Sequence, residues 1–310
     1  MRELLGPLAS ARTWATPWEQ RQPPCGLASC SRSRSLWRQL WRRQSGTFLD
    51  GTYYCRPQCL ETALIDQFAR FEALSPLPQP PHRIPLGLLM VARGRLSYEQ
   101  VQTALAAQQS AQSGKIGEWF EKLGFATEQE VTAALGLQWG CPVAGSLNPG
   151  VVEPPGRIPL AILETFYMVP LQYLPATNTL YLAFGERVDH AALYTIERIL
   201  DCRTQPCVAG RKGIASQLER MGQQPRPNEV EFGPLRDPVE MGRISASYVA
   251  RVGAEDVRLG RLGPFIWLRL KARSSVLNLL FRLRAEPTKT RSAVLPATFA
   301  SADLLQRALE

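Results

Sequence analysis

PLGLLMVARGRLSYEQVQTALAAQ, from Pro85 to Gln108, and KIGEWFEKLGFATEQEVTAALGLQ, from Lys115 to Gln138, are two versions of one pattern. Each is 24 residues long and their starts lie 30 residues apart. Glycines coincide at Gly87/Gly117 and Gly94/Gly124. Apolar residues coincide at Leu86/Ile116, Met90/Phe120, Val101/Val131 and Leu105/Leu135, and Gln108 and Gln138 close the copies. A repeat of fixed period decides architecture before any single residue does, because each unit buries its apolar face against the next.

Each copy opens with a short apolar run that a glycine ends, as at a helix C-terminus. Ser97 and Thr127 follow. Thr127 with Glu130 forms a capping-box pattern, and Ser97 with Gln100 repeats it with an amide. Val101, Leu105 and Gln108 then recur at helical spacing. The pattern predicts a short helix, a turn and a longer helix, twice, which makes a four-helix unit of quasi-twofold symmetry. Glycines near the start of each copy would leave backbone amides open to an anionic ligand.

This repeat resembles the MshEN domain, the amino-terminal module of type II secretion and type IV pilus ATPases. That family's motif begins Arg-Leu-Gly and continues with Leu, Gly, Leu, Leu and Gln at fixed steps, then repeats, and every spacing in both copies fits it. The resemblance implies a regulatory fold that binds the second messenger cyclic di-GMP. It implies ligand-binding positions at Pro85, Leu86, Gly87, Gly94, Leu105, Gln108, Lys115, Ile116, Gly117, Gly124, Leu135 and Gln138. Gln108 and Gln138 would reach base or ribose edges. The chain departs at the leading arginines, where it has Pro85 and Lys115. A guanidinium stacks on a base and grips phosphate through two bonds, whereas lysine offers a point charge and proline nothing. The expectation is weak ligand binding on an intact scaffold.

Residues 139–221 continue the resemblance as an α/β half. LAILETF reads as a short helix, and YMVPLQYLPATNTLYLAF as a hairpin around Pro175-Ala176-Thr177-Asn178. A helix capped by Asp189 follows, then a strand from Cys202 to Val208 and a helix from Ile214 to Met221. The family resemblance thus spans residues 83–221, under half of the chain.

The 310 residues suffice for two or three domains, and 45% hydrophobic with 20% charged residues is ordinary for a globular chain. No apolar run approaches the ~18 residues of a transmembrane helix. The opening MRELLGPLASARTWATPWEQ lacks a sustained apolar stretch, so the expected location is cytoplasmic. Proline and glycine cluster at 75–85, 140–159 and 222–237, where domain boundaries are expected. The net charge of +9 is mostly arginine, and residues 1–50 hold eight arginines. That excess suits either a solvated surface or attraction to an acidic partner, nucleic acid or lipid headgroups.

Four of the seven cysteines form two pairs, Cys25 with Cys30 and Cys55 with Cys59, with 24 residues between the pairs. Four thiolates brought together by two turns suit a structural zinc, and the other reading is plain unmetallated thiols. SLWRQLW and GTYYC are expected to form a hairpin, with turn residues at Ser45-Gly46 and Asp50-Gly51. The following helix shows Leu60, Leu64, Phe68 and Phe71 at helical steps. The order knuckle, hairpin, helix resembles a treble-clef finger, and TYYCRPQC is similar to half of a small zinc ribbon or TRASH-like finger. Cys202 and Cys207 repeat the spacing of the first pair but flank a predicted strand, and Cys141 reads as a small buried residue.

Residues 238–286 read as a small α/β element. Its helix carries Met241, Ile244, Tyr248 and Val249 inward, and its strands alternate at Val257-Leu259, Ile266-Leu270 and Leu277-Leu283. Arg269, Lys271, Arg282 and Arg284 fall in the opposite phase and predict a basic outer face. No phosphate-binding G-x-x-x-x-G-K-[ST] occurs in the chain, nor a G-x-S-x-G elbow, and there are only two histidines.

The expected fold class is therefore α+β and multidomain. It comprises a flexible 1–20, a four-cysteine zinc unit at 21–75, the paired module at 83–221 (halves 83–140 and 141–221), the element at 238–286 and a tail at 287–310. The expected function is a non-enzymatic regulatory or adaptor protein. Its partner would be a secretion- or pilus-type protein or a nucleotide messenger. The alternative is a nucleic-acid-binding protein that uses the zinc finger and the arginine-rich segments.

Overall fold

The computed structural model describes residues 23–30, 46–73, 83–145, 147, 157–235 and 237–283. The readings for 1–20, for the SLWRQLW arm and for the tail 287–310 lie outside them.

Among the described residues the first elements are a hairpin of β1 (Thr47–Leu49) and β2 (Thr52–Tyr54), followed by α1 (Pro57–Ala73). The repeat supplies α2 (Leu86–Ala92), α3 (Tyr98–Ala111), α4 (Ile116–Lys122) and α5 (Glu128–Trp139). Next come α6 (Leu160–Thr165), β3 (Met168–Leu174), β4 (Thr179–Phe184), α7 (His190–Leu200), β5 (Arg203–Val208) and α8 (Arg211–Gly222). The chain continues with β6 (Glu229–Leu235), α9 (Pro238–Val252), β7 (Asp256–Leu262), β8 (Phe265–Lys271) and β9 (Val276–Leu283).

Both capping boxes close in both directions. The Ser97 and Thr127 side chains accept from the Gln100 and Glu130 amides, and those two side chains reach back to the cap backbone. Gly94 and Gly124 take φ of 66° and 69° after the two short helices, a left-handed turn that glycine adopts without strain. Met90, Phe120, Val101, Val131, Ala104 and Ala134 fill the repeat's own core. In the α/β half, β3 and β4 pair antiparallel and β5 adds in parallel beside β4. Asp189 caps α7 by accepting from the Ala192 amide at 3.0 Å.

The hairpin of the four-cysteine unit and the strands of the 238–286 element, expected as separate units, share one sheet. Among the described residues its strand order is β2-β1-β7-β8-β9-β6. Parallel pairing of β1 with β7 sets Phe48 against Asp256 and Leu49 against Val257. Helices α1 and α9 cover one face and share a core of Leu60, Leu64, Phe68, Met241, Val249, Leu268 and Phe281. They approach so closely that a Cβ at Gly242 would meet Ile65 Cγ1 at 2.4 Å. The physical reason is size. A hairpin with three-residue strands has too little surface to form a core alone and borrows the larger sheet.

The expected basic outer face is not what the opposite phase builds. Leu262, Phe265, Trp267 and Leu280 pack into the core of the α/β half, and Gly260 lies against Thr195 and Ile199 of α7. Arg269 is buried there, with Nη1 donating to the Ile199 carbonyl at 3.4 Å. Lys271 and Arg282 do reach solvent, and Arg282 pairs with Glu231 at 2.7 Å. Arg284 lies outside the described residues. The stretch 222–237, expected as a domain boundary, contains β6, an edge strand in parallel with β9. Pro234 falls where its register shifts, a place where a missing N–H costs no ladder bond.

Candidate functional site

The two repeats enclose a groove of about 910 Å³ against the α/β half. Ten of the twelve positions nominated from the motif line it: Pro85, Leu86, Gly87, Leu105, Gln108, Lys115, Ile116, Gly117, Leu135 and Gln138. Gly94 and Gly124 do not. They turn the chain at the far ends of the short helices, with nothing within 4 Å of an added Cβ.

Gly87 and Gly117 serve packing. A Cβ on either would stand 2.9 Å from a Cγ1, that of Val101 or of Val131. Valine is stiff at χ1, so neither neighbour yields easily. The two glutamines are also committed to the scaffold, in a crossed arrangement. Gln108 Nε2 donates to the Gly114 carbonyl at 2.9 Å, just before the second copy. Gln138 Nε2 donates to the Ile84 carbonyl at 2.7 Å, just before the first. Each copy thus ties down the entry of the other. Arg83 reinforces the second tie, donating to the Gln138 carbonyl at 2.9 Å and stacking 3.6 Å over the Trp139 ring.

The sequence reading missed the groove's charged wall. Glu118, Glu121, Glu128, Glu186, Arg187 and Arg211 also line it. Arg211 Nη1 lies 2.7 Å from Glu118 Oε1 and bonds Glu186 as well. Its guanidinium also sits over the Tyr167 ring at 4.8 Å, and its carbonyl accepts from the Tyr167 hydroxyl at 3.0 Å. Lys115 Nζ is 3.7 Å from Glu186 Oε2, and Arg187 pairs with Asp189 at 2.9 Å. Glu128 accepts from the Lys212 amide at 2.8 Å, at the start of α8. Burial raises the Glu121 carboxyl above its ordinary value, and the nearby Glu128 adds to the rise. These partners come from elements far apart in the chain, so no local pattern announces them.

A second cluster lies at the sheet edge. The thiols of Cys25, Cys30, Cys55 and Cys59 all fall within 4.8 Å of one another. Cys30 Sγ is 3.6 Å from Cys55 Sγ and 3.8 Å from Cys59 Sγ. A tight turn at Leu27–Cys30 and the Gly26 amide, donating to the Tyr53 carbonyl at 2.8 Å, hold the knuckle on β2. The Asp50-Gly51 turn, with φ of 46° and 82°, closes the hairpin, and Cys59 sits in the first turn of α1. Burial, then hydrogen bonding to neighbouring thiols, pushes Cys55 up to about 11 and Cys59 up to about 12. Cys202 and Cys207 are buried in the α/β core, where burial pushes each up to about 11. Cys141, expected buried, is half-buried and lies near Cys207.

No known protein family matches the chain by its sequence model, and no curated protein matches it. Solved structures similar to it include that of MshE with cdg, at 23% identity and a TM-score of 0.38, covering 44% of this chain and 99% of that one. The N-terminal domain of XpsE is similar in two crystal forms, at 19% and 18% identity with TM-scores of 0.35 and 0.27. Each covers 46% of this chain, and 98% and 99% of the XpsE chains. Among the described residues, no helix is long and apolar enough to cross a membrane.

Proposed function

We propose that this chain is a non-enzymatic, cytoplasmic regulatory or adaptor protein of secretion- or pilus-type machinery, and that the groove between its paired repeats is its binding surface. The observation that supports this most is the convergence of ten motif positions, from both copies, on one groove. The motif resemblance makes cyclic di-GMP the nucleotide to test first. The groove's cations are paired with carboxylates, which leaves little for a dianion to engage. Calorimetric titration of the full chain with cyclic di-GMP, beside a panel of other nucleotides, should show weak binding or none. Nanomolar binding would refute this account of the charges, and ATP turnover by the pure protein would refute a non-enzymatic role. The nucleic-acid alternative gains nothing from the sheet, whose expected basic face is largely covered.

The same proposal assigns one structural Zn²⁺ to Cys25, Cys30, Cys55 and Cys59. The thiols fit the ion. Tetrahedral Zn–S bonds of about 2.3 Å require sulfurs about 3.8 Å apart, and two of the sulfur pairs lie at 3.6 and 3.8 Å. A cation would also offset the burial that keeps these thiols protonated, releasing their protons as it binds. Elemental analysis of protein purified without chelator should give a ratio near one, and Cys55→Ser should lower it sharply. A ratio near zero in the natural chain would overturn the assignment.

A further inference from the structure

The groove has an apolar side and an acidic side, and the repeat itself makes the contrast. Leu88 and Tyr98 of the first copy occupy the positions of Glu118 and Glu128 in the second, and all four line the groove. The apolar side continues outward, since Leu88 is 42% exposed, Tyr98 52% and the adjacent Ile84 62%. On the acidic side the lining holds one more carboxylate than cation: Glu118, Glu121, Glu128 and Glu186 against Lys115, Arg187 and Arg211. Glu118 and Glu186 hold Arg211, and Lys212 holds Glu128. Among the described residues the Glu121 side chain makes no ion pair within 4 Å and no hydrogen bond, although it is half-buried in the groove wall and feels Lys212 and Arg211 only at longer range.

An entering anion would have to break an existing pair to find a cation. An entering cation would meet a carboxylate that has no direct ion-pair partner, and the rest of its carrier would meet apolar wall. We propose that the groove takes an apolar segment of a partner protein carrying one lysine or arginine, whose charge pairs with Glu121. This rests on the reading of the groove as the binding surface. A protein segment is favoured over a small molecule because the exposed apolar surface runs past the groove over Ile84, Leu88 and Tyr98, which a chain can cover while its basic side chain reaches inward. The complementarity is that of an amphipathic segment laid into a groove of matching character.

The test uses the full chain and three dye-labelled leucine-alanine hexapeptides that differ only in one central residue: lysine, norleucine or glutamate. Fluorescence anisotropy should rank them lysine, norleucine, glutamate, with the lysine peptide roughly fivefold tighter than the neutral one, the size expected of one partly exposed ion pair. Glu121→Gln should bring the lysine peptide down to the neutral peptide's affinity. Binding that ignores the central charge, or a lysine preference that survives Glu121→Gln, overturns the inference. If cyclic di-GMP binds and no peptide does, the inference falls while the groove reading stands. If neither binds, both fall.

Discussion

In the first copy of the repeat Ser97 caps α3 with Gln100 reaching back, and in the second Thr127 caps α5 with Glu130 reaching back. Gly87 and Gly117 meet Val101 and Val131 at the same 2.9 Å, and Gln108 and Gln138 bind equivalent carbonyls. The copies then part. At the groove the second copy presents Lys115, Glu118 and Glu128 to Arg211, Glu186 and Lys212 of the α/β half. The first presents Pro85, Leu88 and Tyr98, and the latter two are exposed. Repetition of sequence reproduces the backbone and its caps, because those depend on neighbours a few residues away. It does not reproduce function-bearing charge, because that depends on what the rest of the fold sets opposite each copy.

The largest expected break of the symmetry is in nucleotide binding. Restoring both arginines, Pro85→Arg with Lys115→Arg, adds charge-assisted contacts of about 1.5–3 kcal/mol each, so cyclic di-GMP affinity should rise about a hundredfold or more. Calorimetry on the single variants sharpens the comparison. Pro85→Arg should contribute more than Lys115→Arg, whose side chain starts beside Glu186. A silent double variant would leave the groove to protein partners.

The packing glycines should show the symmetry intact. Overpacking costs about 1–3 kcal/mol and the better helix propensity of alanine returns up to about 1 kcal/mol. Gly87→Ala and Gly117→Ala should therefore each lose on the order of 1–2 kcal/mol in urea unfolding. A loss in only one copy would mean that the two helix pairs are not energetically equivalent. Smaller still are the caps. Ser97→Ala and Thr127→Ala should each cost about 1 kcal/mol by the same measurement.

Acid should separate the two boxes in direction alone. The Glu130 carboxyl is held below its ordinary value of 4.5, first by the Thr127 backbone amide and then by its hydroxyl. A carboxyl whose folded value is depressed stabilises the fold above its unfolded value and loses that stabilisation as pH falls through the folded one. The second box should therefore weaken as pH drops below about 4.5, while Gln100 leaves the first box indifferent. Glu130→Gln should remove that share of acid sensitivity from pH-dependent unfolding curves, and an unchanged acid limb would contradict it.

Much of this molecule can be read locally. The period of 30 places the four helices. Ser97, Thr127 and Asp189 mark helix starts, Asp50-Gly51 marks a hairpin, and Leu60, Leu64 and Phe68 mark the buried stripe of α1. Each such signal acts within about one turn of chain, through a cap bond, a permitted φ or a side-chain period. Even the four zinc-candidate cysteines are carried by local turns, one on each side of a hairpin.

Other features arise only when distant segments meet. Leu49 finds Val257, so two regions that look like separate units become one sheet. The polar phase of β8 predicts solvent for Arg269, yet α7 lies over that face and buries it. The alternating pattern was legible, but what covers each face was not. Glu121 is one of two acids on α4 until the fold sets it in a groove whose other acids are already paired. Backbone conformation follows from short-range sterics and hydrogen bonds that the amino-acid order already contains. Burial and electrostatic pairing are properties of surfaces, and those exist only after the chain has closed on itself.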